Sequence, residues 1–310
     1  MQMIGEQELE KRLGWTDLIA AIEMELKAGR VTSPERSNIA IPMPGGGTSN
    51  LLVMPAWVEG ESVGVKLVTF FPENGAKGLS TINATYALFS GVDGTLQAVL
   101  EGDELTARRT AAASALAARF LARKDAKRLL VVGTGQLSAK VAAAHTSVRT
   151  YERIEIFGRS TAKAEAVVAK LAEHGIAAHV AADLAQAVGE ADVISAVTSS
   201  TAPLILGADV KPGTHVDLIG AFKDDMRESD DALITKASIF VDFRPGATKA
   251  GDLAQPLAAG LISEGDIKAD LAELARGVHA GRASDDEITV FKSAGFSLLD
   301  LAAARLAVKG

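Results

Sequence analysis

The sequence contains no cysteine, which excludes thiolate catalysis, disulfide staples and cysteine-based zinc sites. That absence fits a reducing compartment. No apolar run reaches the roughly 18 residues that a membrane-spanning helix requires. The first residues, MQMIGEQELEKRLGW, place acids and bases where a secretion signal needs an apolar core. Positive charge is not in excess either: 32 Lys and Arg stand against 39 Asp and Glu, for a net charge of −7. A nucleic-acid partner would want the opposite balance. The five histidines, His145, His174, His179, His215 and His279, are scattered without ligand spacing or an HExxH pattern. They read as surface or internally satisfied side chains, so no metal is expected. What remains is the expectation of a soluble, cytoplasmic protein with neither a membrane nor a nucleic acid as partner.

The chain has 310 residues, 48% of them hydrophobic and 23% charged, enough for two domains with sizeable cores. The middle of the chain alternates between two periodicities. Leu129–Val132, RIEIFGR, AAHVA, DVISAVT, HVDLIGAF and SIFVDF read as six apolar strands, with helical patterns such as TAKAEAVVAKLAEHG between them. Strands joined by helical crossovers imply an α/β fold with a doubly wound parallel sheet. The first 110 residues differ. A helix over Trp15–Ala28 precedes short strands broken by Pro and Gly, and ATYALFSGVDGTLQAVLEG reads as a hairpin turning at Val92–Thr95. This is an α+β domain. An alanine-rich helix from Thr106 leads into the parallel region, and the tail ITVFKSAGFSLLDLAAARLAVKG is apolar at helical spacing. The expected division is residues 1–110 with 290–310 as one domain and 111–289 as a Rossmann domain.

The stretch RLLVVGTGQLSAKVAAAH, residues 128–145, puts two glycines where a buried strand gives way to a helix. In such a turn the first glycine, Gly133, permits the tight bend, and the second, Gly135, lets a pyrophosphate approach the backbone. The helix N-terminus beyond them presents unpaired N–H groups and a positive dipole end. Ser138 stands where the usual fingerprint has its third glycine. It is small enough for helix–strand packing, and its hydroxyl is a candidate phosphate contact. The second strand ends in Phe157-Gly158-Arg159-Ser160-Thr161, with no acid before Glu165. An acid there would serve the adenosine ribose. Arg159, with hydroxyls beside it, suits a 2′-phosphate instead. NADPH is therefore the expected cofactor, with NADH as the lesser one.

Three basic residues outside the nucleotide-binding region form a second set: Arg36 in SPERSNIA, Lys66 in VGVKLVTFF and Arg109 in LTARRTAAA. An ammonium within an apolar strand is costly without a partner. Either Lys66 points out from an edge strand, or the three cations together hold a small carboxylate.

These residues lie in blocks that resemble the ornithine cyclodeaminase/mu-crystallin family along nearly the whole chain. The blocks are MPA at Met54–Ala56, GVKLVTFFPEN at Gly64–Asn74, LTARRTAAASALAA at Leu105–Ala118, GTGQLS, GAFKDDMRE at Gly220–Glu228 and DDEITVFKSAG at Asp285–Gly295. The resemblance implies a homodimer in which an α+β substrate-binding domain, partly completed by the C-terminal helix, is joined to a Rossmann domain. It implies a substrate carboxylate held by Arg36, Lys66 and Arg109. It also implies a cofactor surface formed by Thr110, Gly133, Thr134, Gly135, Gln136, Leu137, Ser138, Gly158, Arg159, Ser160, Val197, Thr198 and Gly220.

Fold and family do not fix the reaction. Cyclodeaminases of this family carry a water-activating aspartate just after the fifth parallel strand, where this chain has Phe222. A phenyl ring takes no proton, so ornithine cyclodeamination is disfavoured, and GAFKDDMRE resembles the ketimine reductases instead. The expected activity is reduction of a cyclic ketimine carboxylate, Δ1-pyrroline-2-carboxylate to L-proline or Δ1-piperideine-2-carboxylate to L-pipecolate. In that reading Arg36 and Arg109 clamp the carboxylate, while Lys66 is the catalytic residue, as general acid or as fixed charge. The alternatives are an open-chain imino acid, as in alanine dehydrogenase or iminosuccinate reductase chemistry, and an NADPH-binding crystallin-like protein without turnover.

Overall fold

The computed structural model describes residues 1–44 and 46–309, and the chain divides into two compact units. The first comprises Met1–Arg109 with Phe296–Gly310, the second Thr110–Gly295. The first division falls inside one continuous helix, Gly102–Leu121.

The first unit is built on a six-stranded sheet of β1 (Gln2–Ile4), β2 (Ser37–Pro42), β3 (Thr48–Val58), β4 (Ser62–Phe70), β5 (Ile82–Ser90) and β6 (Leu96–Glu101), in the order β1-β6-β5-β4-β3-β2. All pairings are antiparallel except β1 with β6. The expected hairpin is β5–β6. Its turn is set by Gly94 at φ 74° and by Asp93, whose carboxylate accepts from Thr95 N–H and Oγ1. Period-two alternation sorts the side chains cleanly onto two faces. Met54, Ala56, Val58, Lys66, Tyr86, Leu88, Ala98 and Leu100 are buried on one. That face is covered by the helix Ser297–Lys309, on which the helix Trp15–Ala28 packs in turn. The opposite face carries Val53, Pro55, Trp57, Val63, Val65, Leu67, Ala87 and Phe89, adjoining across β3, β4 and β5 and all at least partly exposed.

The second unit is an eight-stranded, wholly parallel sheet of β7 (Arg128–Val132), β8 (Arg153–Phe157), β9 (His179–Val180), β10 (Val193–Ala196), β11 (His215–Leu218), β12 (Ser238–Val241), β13 (Ile267–Asp270) and β14 (Thr289–Lys292). Its order is β13-β12-β14-β11-β10-β7-β8-β9. The central strands are buried along nearly their whole length, which is why they read as predominantly apolar runs. The strand order reverses between β7 and β10, the switch point at which such sheets bind ligands outside their carboxyl ends.

Two expectations change here. The sheet has eight strands rather than six, with β13 and β14 unforeseen. And the tail is not helical from Ile288: Thr289–Lys292 is a strand lying between β11 and β12, and the helix begins only at Ser297. Four residues bounded by lysine and serine carry too little periodicity to distinguish strand from helix.

Candidate active site

In the first unit, β4 is interior to the sheet, and Lys66 lies in register between Met54 of β3 and Tyr86 of β5. The edge-strand alternative is thereby removed. Lys66 is 2% exposed, and its Nζ donates to Asp300 Oδ1 at 2.9 Å and to Thr106 Oγ1 at 3.4 Å. Arg109 Nε donates to the same Asp300 oxygen at 3.0 Å. Lys66 and Arg109 thus converge on one carboxylate of the C-terminal helix, while Asp300 Oδ2 and the buried Tyr86 hydroxyl have no hydrogen-bond partner. Gly64 makes room for that phenol: a Cβ there would fall 2.0 Å from Tyr86 Oη. Burial, then the Arg109 charge, push Lys66 down to about 8 against the opposing pull of Asp300, and Arg36 adds to the depression. Arg36 itself is half-buried at the start of β2 and close enough to act on Lys66 electrostatically. The neighbouring Arg108 serves the fold, bonding Glu104 and Leu13 O and stacking on Trp15.

In the second unit the glycine turn follows β7. Gly133 has φ 133°, and a Cβ there would meet Val197 Cγ2 at 2.7 Å. Only glycine fits both constraints. Gly135 is different. Its φ of −84° suits any residue, and no protein atom lies within 4 Å of where its Cβ would be. The backbone is therefore bare at the N-terminus of the helix Gln136–Val148, where Gly135 and Gln136 are exposed. This is the cradle that a pyrophosphate needs, so the residues fit a dinucleotide. Gly158 packs on Thr134, since a Cβ there would lie 2.4 Å from Thr134 Cγ2. Arg159 is exposed at the end of β8, and Ser160 caps the helix Thr161–Glu173 by accepting from Lys163 N–H.

Ser138 departs from its expected role. It is fully buried, so it fills the packing place of the third glycine and offers no hydroxyl at the surface of the loop. Leu137 is half-buried beside it, and Thr110 half-buried on its helix.

The loops after β10 and β11 are tied together by Glu228, which the sequence reading passed over. Oε1 accepts from Thr198 N–H at 2.6 Å and Thr198 Oγ1 at 2.9 Å, and Oε2 accepts from Gly220 N–H at 2.8 Å and Ala221 N–H at 3.1 Å. Burial pushes Glu228 up to about 7, opposed by Lys292. Asp252 supports this segment by accepting from Glu228 N–H and Ser229 N–H, and it pairs with the wholly buried Lys292 at 2.9 Å. Phe222, just beyond Gly220, is 38% exposed. Asp300 was also missed, although an acid inside LLDLAAARLA carries the signal that singled out Lys66, a charge in an apolar face. Glu228 sits among the charges of KDDMRESDD and carries no such signal.

A third polar group is internal. Ser114, His145, Ser195 and Asp217 are bonded together, but all are 0% exposed and out of reach of a substrate. His215 is likewise buried, pushed down to about 3 and so neutral, with Nδ1 3.0 Å from Thr289 Oγ1. Among the described residues no three His, Asp or Glu side chains gather to hold a metal, and no helix is long and apolar enough to cross a membrane.

The sequence profile of the ornithine cyclodeaminase/mu-crystallin family matches residues 2–309. The chain belongs to this family. Among its relatives, the Delta(1)-pyrroline-2-carboxylate reductase of Paracoccus denitrificans (strain Pd 1222) is 41% identical over 304 residues, covering 97% of this chain and 94% of the relative. The structure of the Thermococcus litoralis Delta(1)-pyrroline-2-carboxylate reductase, in complex with NADH and L-proline, superposes with a TM-score of 0.92 at 31% identity, covering 100% of this chain and 97% of that one. The iminosuccinate reductase of Paracoccus denitrificans, in complex with NAD+, gives a TM-score of 0.88 at 29% identity, covering 100% of this chain and 95% of that one.

Gly135 predicts an effect on binding that is separable from any effect on folding. Gly135→Ala should leave stability within about 0.5 kcal/mol of the parent, because backbone and space both accept a methyl. It should nevertheless weaken dinucleotide binding, read by fluorescence titration, by about tenfold, or about 1.4 kcal/mol. Unchanged affinity would remove Gly135 from the phosphate cradle.

Proposed function

We propose that the protein is a nicotinamide-dependent imine reductase acting on cyclic ketimine carboxylates, Δ1-pyrroline-2-carboxylate to L-proline and Δ1-piperideine-2-carboxylate to L-pipecolate. The observation that carries this reading is the buried Lys66–Arg109–Asp300 cluster. It is a low-dielectric cationic site beside an ammonium whose pKa is lowered to about 8, near working pH. The reductase relatives support the same substrate class.

The reaction adds a hydride to the imine carbon and a proton to the imine nitrogen. The hydride would come from a reduced nicotinamide cofactor held through its pyrophosphate at the glycine loop. The chain's own residues do the rest. Gly133, Thr134, Gly135 and the helix N-terminus behind them bind the pyrophosphate, and Thr198 and Gly220, locked by Glu228, fix the adjoining loops. Arg36 and Arg109 hold the substrate carboxylate, a bidentate task suited to guanidinium. Lys66 donates the proton to the nitrogen, and its depressed pKa makes it a stronger acid than an ordinary lysine. Phe222 supplies no carboxylate to activate water, so hydrolytic cyclodeamination has no base at that position.

A second reading is reduction of an open-chain imino dicarboxylate. Three cations, Arg36, Lys66 and Arg109, exceed what a single carboxylate uses, and the iminosuccinate reductase structure is close. For the cofactor we propose NADPH over NADH, on the exposed Arg159 and the lack of an acid at the end of β8. We also propose a homodimer, in which the partly exposed apolar face centred on Pro55, Trp57, Val65 and Phe89 packs against a second copy.

Oxidation of NADPH measured across cyclic ketimines, iminosuccinate, and pyruvate with ammonia decides the substrate, the expectation being fastest turnover with the five- or six-membered ring. With that substrate, Lys66→Ala should lower kcat by about a hundred- to ten-thousandfold, and Arg109→Ala should chiefly raise KM. In the parent enzyme only the protonated lysine donates, so kcat should decline as pH rises through about 8. A Lys66→Ala enzyme with normal kcat across pH would assign the proton to solvent.

Arg159→Ala should cut the NADPH-to-NADH ratio of kcat/KM by about ten- to a hundredfold, the value of one charge-assisted contact of roughly 1.5–3 kcal/mol. An unchanged ratio would refute the 2′-phosphate assignment. Sedimentation should give the mass of two chains, and Trp57→Glu the mass of one; a monomeric parent would overturn the dimer.

A further inference from the structure

We infer that Asp300, on the C-terminal helix Ser297–Lys309, is a positioning residue for the reduction, fixing Lys66 and Arg109 relative to each other by accepting from both through a single carboxylate oxygen. The inference rests on the reductase reading above and extends it to a residue with no place in the sequence pattern of the site. Three observations converge on it.

The first is geometry. Lys66 comes from β4 and Arg109 from the helix Gly102–Leu121, and each is flexible by chemistry, with rotatable stems ending in a cation. Two like charges brought together repel, and between β4 and that helix the one bond that places the lysine is the long one from Lys66 Nζ to Thr106 Oγ1, at 3.4 Å. Asp300 Oδ1 accepts from Lys66 Nζ at 2.9 Å and from Arg109 Nε at 3.0 Å, so one atom ties the two cations to a common point. Because the bond to Arg109 is made through Nε, the outer edge of the guanidinium is not used by this carboxylate and is available to fork onto another.

The second is burial. Lys66, Arg109 and Asp300 are 2%, 5% and 0% exposed. At that depth an acid shared by two cations bears on the charge of the lysine as well as on the place of both. The groups facing Lys66 are Arg109, Asp103 and the Thr106 hydroxyl from the long helix, Tyr86 from β5, Arg36 beside β2 and Asp300. Burial, Arg109 and Arg36 pull the lysine pKa down, and Asp300 raises it both by charge and by hydrogen bond. The third is the orphaned pair, Asp300 Oδ2 and Tyr86 Oη, both buried and both without a hydrogen-bond partner. Both atoms leave polar capacity in the cluster that the fold itself does not use.

The roles then divide. Lys66 touches the substrate nitrogen, and Arg109 the carboxylate. Asp300 acts through them, keeping the ammonium charged at neutral pH and aimed from a fixed point. Its removal leaves a lysine beside two arginines with Asp103 as the remaining acid and no hydrogen-bonded counter-charge, and such a lysine gives up its proton at lower pH.

Two readouts test this, one independent of turnover. The Lys66 ammonium is titrated by NMR in lysine-labelled protein, its signal identified by loss in Lys66→Met, and kcat is followed against pH on the same variants. In Asp300→Asn the Lys66 titration should move down by about one pH unit or more, and the alkaline limb of kcat should move with it. The imine's own titration is common to both enzymes and cancels in the comparison. Asp300→Glu keeps the charge but lengthens the arm. It should titrate within about half a unit of the parent yet lose about tenfold in kcat. If Asp300→Asn fails to fold by circular dichroism, Asp300→Glu carries the test alone. A Lys66 titration unmoved in Asp300→Asn, or a parental kcat in Asp300→Glu, overturns the proposal. A parent enzyme that reduces no imine, with the Lys66 titration still shifted in Asp300→Asn, overturns the reductase reading and leaves the coupling of the two residues standing.

Discussion

A lysine ammonium enclosed on the apolar face of a sheet persists only if a counter-charge is enclosed with it, and the first unit is arranged around that requirement. Lys66 cannot be moved to the outer face without slipping β4 by one residue, which would invert every other side chain on the strand. The counter-charge comes from the far end of the sequence, on a helix whose flanking positions are Leu298, Leu299, Leu301 and Ala302, all buried. The helix docks through those apolar residues, and docking delivers Asp300. Burial supplies the binding energy, and the ion pair specifies the register, since a carboxylate a turn away would leave both cations uncompensated.

The second unit solves the same problem with different residues. Lys292 is enclosed in the sheet at the end of β14, and Asp252 neutralises it. The spare capacity of Asp252 is spent on the backbone N–H groups of Glu228 and Ser229, and Glu228 in turn gathers the N–H groups of Thr198, Gly220 and Ala221. A chain of charge and hydrogen bonds thus runs from the centre of the sheet to two of the loops beyond its carboxyl ends. The N–H groups of Thr198, Gly220 and Ala221 are thereby satisfied by a side chain rather than by the sheet ladder.

The elements legible in the sequence are those whose signal is local. The glycine turn, the hairpin at Asp93-Gly94 and the alternation of strand and helix each depend on neighbours within a few residues, and each is where the sequence places it. Lys66 and Arg109 were legible because a charge in an apolar context violates local expectation. Asp300 violates it equally, but its meaning depends on partners 191 and 234 residues away. Ser138 was misjudged for a related reason: residue type shows that it is small and polar, while only the packing of its helix shows which of those properties is used. β14 was hidden because a four-residue strand in the middle of a sheet needs no periodicity of its own; its neighbours, β11 and β12, define it.

The place of β14 has a consequence for how the molecule is made. The slot between β11 and β12 is filled by residues 289–292, so the two strands that flank it cannot pair with each other and wait for a segment separated from the end of β12 by 47 residues. During synthesis, β7 to β11 can assemble from the amino-terminal side, whereas β12 and β13 have no attachment to that half-sheet until residue 292 has left the ribosome. High contact order of this kind slows closure and leaves two parallel-strand edges open in the interval. The C-terminal helix emerges immediately afterwards. Both units are therefore completed by one stretch of about twenty residues, and a nascent chain lacking it exposes a half-built sheet and an uncompensated lysine together, a state that chaperones would have to shield.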